Sequence, residues 1–306
     1  GMEGGWMQVG RFEAKYGRQR VIGAVGWSNV GRTFDGLRLG YDGGFMSFDV
    51  FLMKIVERGF NTPPRAGDHH LYGLYTRWLS DHFHLFGLLD YDHQESFPGS
   101  NEATIARYTV GTYYHRQTEY GLDFNLDFAY QGGEHDMINV ETLKAYMVAA
   151  ELGYTFVNNN AKPRIAAGLD ITSGDDGTDP SELNTYNNLY ATGHAFRGYM
   201  DYFVSNPFEG LMDLFVRASA MLTDKWWFGF DFHYFRTMED YYIYGVPSAD
   251  DISNAIGNEV DFTAKYNIYE NLDAQGGLSL FFPSEDWQSP YSDTGTWFYL
   301  MLTAGL

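Results

Sequence analysis

The chain has 306 residues, no cysteine, and 20 Lys+Arg against 40 Asp+Glu, a formal net charge of −20. It therefore has no disulfide framework, thiolate nucleophile or cysteine-based zinc site, and the acid excess argues against a nucleic-acid partner. No apolar run reaches the ~18 residues of a membrane-spanning helix, while 18% aromatics and 35 Gly favour strands and turns.

The first notable stretch is 10–38, GRFEAKYGRQRVIGAVGWSNVGRTFDGLR. It holds Arg11, Lys15, Arg18, Arg20, Arg32 and Arg38 against only Glu13 and Asp35, a basic island in an acidic protein. From there on the dominant period is two. In 122–131, Asp123, Asn125, Asp127 and Gln131 oppose Leu122, Phe124, Leu126, Phe128 and Tyr130. In 258–268, Glu259, Asp261, Thr263 and Lys265 oppose Val260, Phe262, Ala264 and Tyr266. Such alternation makes strands with one apolar and one polar face. It predicts about fourteen of them: 6–16, 32–41, 45–57, 69–79, 82–92, 103–115, 120–131, 141–156, 162–173, 208–222, 225–236, 257–269, 271–282 and 294–306. Ordinary soluble strands have about 5–6 residues; most of these are long enough to cross a bilayer at a tilt.

The connections alternate. Short ones fall at 42–44, 80–81, 117–119, 158–161, 223–224 and 270–271; long ones at 17–31, 58–68, 94–102, 132–139, 173–207, 237–255 and 283–293. Tight turns at one end and long loops at the other describe an all-β, up-and-down antiparallel transmembrane β-barrel, with the termini at the short-turn, periplasmic end. A single domain over 1–306 is expected, because no linker divides the chain. Aromatics at strand ends, such as Trp6, Trp78, Tyr113-Tyr114, Trp226-Trp227, Tyr241-Tyr242 and Trp297-Phe298, suit interfacial girdles.

If the apolar faces meet lipid, the polar faces line a lumen. Its basic members are then Arg11, Lys15, Arg38, Arg77, Arg107, Arg164, Arg217 and Lys265. Its acids include Glu13, Asp90, Asp123, Asp127, Asp170, Asp213, Asp231, Glu259 and Asp261. Interleaved signs are also what a wall of structural ion pairs would show, since like charges in a low-dielectric wall repel strongly. Ser173–Asp179 (SGDDGTD) is calcium-like through Asp175, Asp176 and Asp179, but it lacks the twelfth-position Glu of an EF-hand, and a solvated acidic loop is the competing reading. The longest connection, 173–207, contains a candidate constriction or lid from Asn184 through His194 to Arg197; an external hairpin is the alternative. Asp231 and His233 share a face, but no serine with nucleophile context accompanies them, so a hydrolase is the third reading of function and no cofactor is expected.

Gly10-Arg11-Phe12, Tyr16–Gly23, Trp27 and Arg32–Arg38 resemble the alginate export family of bacterial outer-membrane porins. The resemblance continues at Gly193–Phe196, Gly198–Asp201, Ile256–Asp261 and Gly277–Phe282. It implies a channel in the outer membrane of a Gram-negative bacterium that passes an anionic saccharide such as alginate by diffusion, with export or uptake left open. It implies solute contacts at Arg11, Arg20, Arg32 and Arg38, and a structural anchor at His194. Expected partners are the anionic oligo- or polysaccharide, the lipid bilayer with its lipopolysaccharide, and periplasmic export components. A second reading is a loop-plugged barrel with a binding or structural role. Two features depart from the family. Its barrels have about eighteen strands, and the basic motif normally follows several of them, so either about four strands are absent or the barrel closes on fourteen. The chain also ends on Leu306 instead of an aromatic.

Overall fold

The computed structural model describes residues 4–56, 68–94, 103–136, 140–242, 252–287 and 293–305. The strands are β1 (Gly5–Phe12), β2 (Phe34–Tyr41), β3 (Met46–Val56), β4 (His69–Trp78), β5 (Phe83–Gln94), β6 (Ala103–Gln117), β7 (Leu122–His135) and β8 (Val140–Thr155). They continue with β9 (Arg164–Thr172), the two-residue β10 (Glu182–Leu183), β11 (Leu211–Met221), β12 (Trp226–Tyr242), β13 (Ile252–Tyr269), β14 (Leu272–Pro283) and β15 (Gly295–Ala304). Apart from β10, which pairs with β8 in parallel, each strand is bonded to the next along the chain.

The alternation works as the sequence requires. Along β8 and β11, buried residues alternate with half-buried or exposed ones. Leu37, Leu39, Val50, Leu52, Leu74, Leu85, Val110, Val216 and Phe262 form exposed apolar rows. Each such side chain left in water forgoes roughly 1.5–3 kcal/mol, so a surface of this kind is stable only against lipid. The opposite, inner face carries the buried charges Asp49, Asp90, Arg107, Asp127, Glu151, Asp170, Asp213, Glu259 and Asp261. Aromatic doublets straddle the two faces because successive side chains alternate: Tyr241 is buried while Tyr242 is exposed.

The described residues gather into two compact units. The first takes in the described residues within Gly1–Tyr114, Asp127–Met147 and Gly177–Thr192; the second those within His115–Leu126, Val148–Asp176 and Gly193–Leu306. In the first, Phe12, Ala14, Tyr16 and Ile22 pack with Phe34, Phe51, Met53, Leu71, Tyr75 and Leu88. In the second, Phe203 packs with Leu211, Phe235, Ile256 and Phe281.

Several boundaries differ from expectation. β7 runs on to His135 and β8 starts at Val140, so 132–135, half of the expected long loop at 132–139, are strand. β12 and β13 likewise extend into 237–242 and 252–256, past register shifts on either side of Arg236. β1 stops at Phe12 rather than residue 16.

The largest correction concerns Arg11 and Lys15. Arg11 pairs across the ladder with Asp35, on the same face as the exposed Met7, Val9, Leu37 and Leu39. Glu13 and Lys15 are exposed too, while Phe12, Ala14 and Tyr16 are buried. The period was right and the direction was reversed. Here the inward neighbours are aromatic and aliphatic, so the apolar side of the stretch turns inward and the charged side outward.

Candidate functional site

The candidate site is the charged inner face. In the second unit it is a ladder of alternating sign. Arg164 of β9 donates from Nε and Nη2 to the two oxygens of Asp123 on β7, at 3.0 and 2.5 Å. Its Nη2 also donates to Glu151 of β8 at 2.7 Å. Glu151 accepts in turn from Arg217 of β11 at 3.2 Å, and Arg217 Nε lies 3.6 Å from Asp231 of β12. The guanidinium side chains are 26% and 19% exposed, against 6% for the Glu151 that holds both. The arginine forks therefore present their edges while the bridging carboxylate sits behind them. Both guanidiniums are engaged, Arg164 through Nε and Nη2 and Arg217 through Nη1 and Nη2, so a further carboxylate could be gripped bidentately only by exchange with one of these partners. Arg217 is braced further by a bond to the Phe196 carbonyl and by the Phe215 ring 4.5 Å from its Cζ.

Arg197 is built differently. It leaves the 3-10 turn Gly193–Ala195 and reaches Asp170 with Nε and Nη2 at 3.2 and 3.3 Å, and it also bonds Asn206 and the Phe203 carbonyl. Its side chain is 7% exposed and that of Asp170 is 0%. His194, near the same turn, pairs with Asp201 at 2.8 Å and stands edge-on to Tyr199. Burial pushes the Tyr199 phenol up to about 12, so it stays neutral.

In the first unit two connecting segments pair with each other. Gly23 N donates to the Tyr190 carbonyl at 2.8 Å, Tyr190 N to that of Val21 at 3.0 Å, and Thr192 N to that of Gln19 at 2.9 Å. Gly23 permits this approach: a Cβ there would meet Thr192 Oγ1 at 2.2 Å. Arg32 donates to the carbonyls of Tyr190, Ala191 and Gly23. Arg20 pins the first segment to Asp127 of β7 at 3.4 Å, and the two side chains are 6% and 7% exposed. The second is pinned by Gln131, which donates to the Asn187 carbonyl at 2.8 Å and accepts from Asn187 N at 2.9 Å. The Tyr190 hydroxyl also donates to Asp90 at 2.7 Å. Burial first, and then the Asp90 charge, raise the Tyr190 pKa, which keeps the phenol a donor. Asp90 is shared with Arg107 at 3.1 Å and His69 at 2.7 Å. Arg38 pairs with Asp49 at 2.7 Å, and its Cζ lies 5.1–5.4 Å from the rings of Trp6, Phe12 and Tyr16.

A pocket beside Arg18, Arg20, Ile22, Tyr75, Tyr113 and Asp127 encloses only ≈ 20 Å³, enough for about one water and too little for a solute.

The sequence-derived residues thus separate into groups. Arg38, Arg107, Arg164, Arg217, Glu259 and Asp261 lie on the inner face, and Arg20, Arg32 and Arg197 fasten connecting segments. Arg11 and Lys15 face outward in ion pairs with Asp35 and Glu13. Asn184 is half-buried. Asp175 is buried and Asp176 exposed. Asp179 accepts from Ser181 N and Oγ, which holds its carboxyl below the usual value. None of these three belongs to a group of convergent metal-ligating side chains among the described residues. Sequence reasoning missed Asp49, Glu151 and Tyr190. Glu151 was hidden because its inner-face neighbours on β8 are Ala145, Met147 and Ala149, which read as an apolar face.

A meander of long antiparallel strands with a lipid-facing apolar row and a charged inner face defines an outer-membrane β-barrel of the porin type. Solved structures agree on the fold. OprD from Pseudomonas aeruginosa aligns with TM-score 0.60 at 12% identity over 98% of this chain and 74% of its own. OccK10 (OpdN) from the same organism gives 0.60 at 12% over 99% and 80%. OccAB1 from Acinetobacter baumannii gives 0.60 at 12% over 98% and 74%. The chain belongs to the alginate export family, whose model matches residues 2–290. No curated protein matches it. It is accordingly a porin-like channel of the Gram-negative outer membrane.

Proposed function

We propose that the channel passes an anionic saccharide, of the polyuronate type handled by its family, by diffusion along the inner-face arginines. The observation that carries this reading is the Asp123–Arg164–Glu151–Arg217–Asp231 ladder, in which the guanidiniums are more exposed than the carboxylate bridging them. The two guanidiniums are outnumbered by three carboxylates, so each would hold a solute carboxylate only weakly and by exchange of partners, which lets an anion enter and still leave. Catalysis has less support: His233 is fully buried against Asp213, and its Nε2 bonds to no hydroxyl among the described residues. Planar-bilayer recordings of the full chain test the proposal. Stepwise conductance with anion preference, blocked by oligouronate and not by a neutral oligosaccharide of equal length, is expected. Cation preference, or equal block by both sugars, would refute it.

A further inference from the structure

Arg38, Arg77, Arg107, Arg164 and Arg217 of the inner face are each paired with a carboxylate. Lys265 of β13 is different. It follows Glu259, Asp261 and Thr263 on the same face of the strand, yet it is exposed and makes no ion pair among the described residues. Its Nζ stands 4.9 Å from the ring centre of Trp227, the residue opposite it on β12. Trp227 lies flat because Gly229 follows it on that face: a Cβ at Gly229 would meet the indole at 2.5 Å.

The nature of that contact decides what Lys265 can do. A carboxylate partner cancels an ammonium charge. An aromatic ring has no net charge, so it attracts the cation through its quadrupole and leaves the charge in place. The lysine is therefore positioned without being neutralised, and part of the rotamer entropy that binding an anion would cost is already spent. The carboxylate one inner-face step away, Asp273 opposite Asn267, accepts from Asn267 Nδ2 at 3.0 Å. On β14 Lys265 faces Gln275, and opposed residues of this kind have Cβ atoms about 4.5–5.5 Å apart. Gln275 donates from Nε2 to the Tyr299 hydroxyl of β15 at 2.7 Å, and its amide oxygen is an acceptor. Tyr299 leans over Gly277, where a Cβ would meet its ring at 2.4 Å, and the Trp297 ring lies 4.8 Å beyond. Both rings are half-buried. A cation, an amide and two rings thus follow one another across β13, β14 and β15.

We propose that Lys265, Gln275 and Tyr299 form a subsite for a sugar acid. The ammonium takes the carboxylate, and the amide oxygen takes a ring hydroxyl. The Tyr299 and Trp297 rings offer an apolar face to the C–H side of the pyranose. Trp227 is a positioning residue that acts through Lys265. The subsite rests on the channel reading above for the class of its ligand. It adds a place where a carboxylate is held without displacing one of the protein's own, which the engaged guanidiniums of the ladder do not provide. It lies toward the short 222–225 and 270–271 connections, the periplasmic end of such a barrel. A single exposed cation binds weakly enough for the solute to move on.

Calorimetric titration of the full chain in detergent micelles tests the subsite, with trimannuronate as the probe and mannotriose as its neutral control. Trimannuronate should bind the wild type saturably. Lys265→Gln should weaken it about tenfold, the loss of one charge-assisted contact, and Lys265→Arg should keep most of the affinity. Mannotriose should not distinguish the wild type from Lys265→Gln. Trp227→Leu should weaken trimannuronate binding when Lys265 is present and change nothing further in the Lys265→Gln background, a coupling that a merely structural role of the ring would not produce. Tyr299→Ala should cost a further loss in that background, where the stacking face remains. No saturable binding to the wild type, or wild-type affinity in Lys265→Gln, would overturn the subsite. Bilayer recordings separate this from the channel reading. Oligouronate-selective block that persists unchanged in Lys265→Gln would sink the subsite and leave the channel reading standing. Trimannuronate binding that depends on Lys265, in a chain whose conductance shows no such selective block, would do the reverse.

Discussion

Two inner-face regions use the same ion pair for different ends. In the ladder across β7, β8, β9, β11 and β12, Arg164 and Arg217 are 26% and 19% exposed, and each has more than one partner. Where connecting segments meet the wall, Arg20, Arg107 and Arg197 are 6–7% exposed against carboxylates at 7% or less. The first arrangement leaves guanidinium edges able to exchange partners with a solute. The second spends the charge on fixing a segment. Residue type does not separate the two arrangements; residual exposure does.

The sharpest way to break the comparison is to remove a strut. Arg197→Ala removes the guanidinium bonded to both oxygens of Asp170, which is 0% exposed. Breaking a buried ion pair from one side costs about 3–5 kcal/mol. Denaturant unfolding of the refolded barrel should show a loss of that order. Arg107→Ala should cost less, because Asp90 keeps the Tyr190 hydroxyl and His69. Equal losses would mean that partner redundancy does not matter here.

Next comes the ladder. Arg217→Ala leaves Glu151 still bonded to Arg164, so stability should fall by only about 1 kcal/mol. Anion preference, measured from reversal potentials in a salt gradient, should drop clearly. The reverse pattern, large destabilisation with unchanged selectivity, would make the ladder another set of struts.

Arg38 is intermediate, at 15% exposure with Asp49 behind it and three rings around it. Arg38→Lys keeps the charge and loses the stacked plane, and cation–π contacts are worth about 0.5–1 kcal/mol each at exposed sites. A stability loss of roughly 1 kcal/mol is expected, with anion preference nearly retained. A drop in selectivity matching that of Arg217→Ala would place Arg38 in the solute path.

Much of this was legible from period two alone. The fourteen long strands and their order follow from it, as do the inward positions of Arg107, Arg164 and Arg217; the alternation of connection lengths does not hold throughout, since four residues join β7 to β8 and eight join β8 to β9. Alternation names two faces without saying which is inside, and that choice depends on what lies opposite. For Arg164 the opposite group is Asp123; for residues 12–16 it is Phe51 and Tyr75, which no local pattern announces. The pairing of the segments around Ile22 and Tyr190 joins residues 168 positions apart through backbone groups, and backbone bonds leave no composition signal. Arg20 and Arg197 could be singled out from their motifs, but their role as fasteners depended on Asp127 and Asp170 being buried beneath them.

Arg11 gives the smallest expected effect and tests that limit directly. Its motif marks it as a solute contact, whereas the β1–β2 register puts it on the outward face. Its fork bonds both oxygens of Asp35 at 2.8 and 2.7 Å, yet the side chains are 70% and 51% exposed. Open pairs of this kind are screened by water and salt and contribute little to stability. Position, not bond geometry, therefore decides the outcome. Arg11→Ala should leave unfolding, conductance and anion preference unchanged within error, while Arg217→Ala in the same bilayer shifts the reversal potential. If Arg11→Ala shifts it equally, the outward reading of β1 is wrong and the motif is the better guide to the solute path.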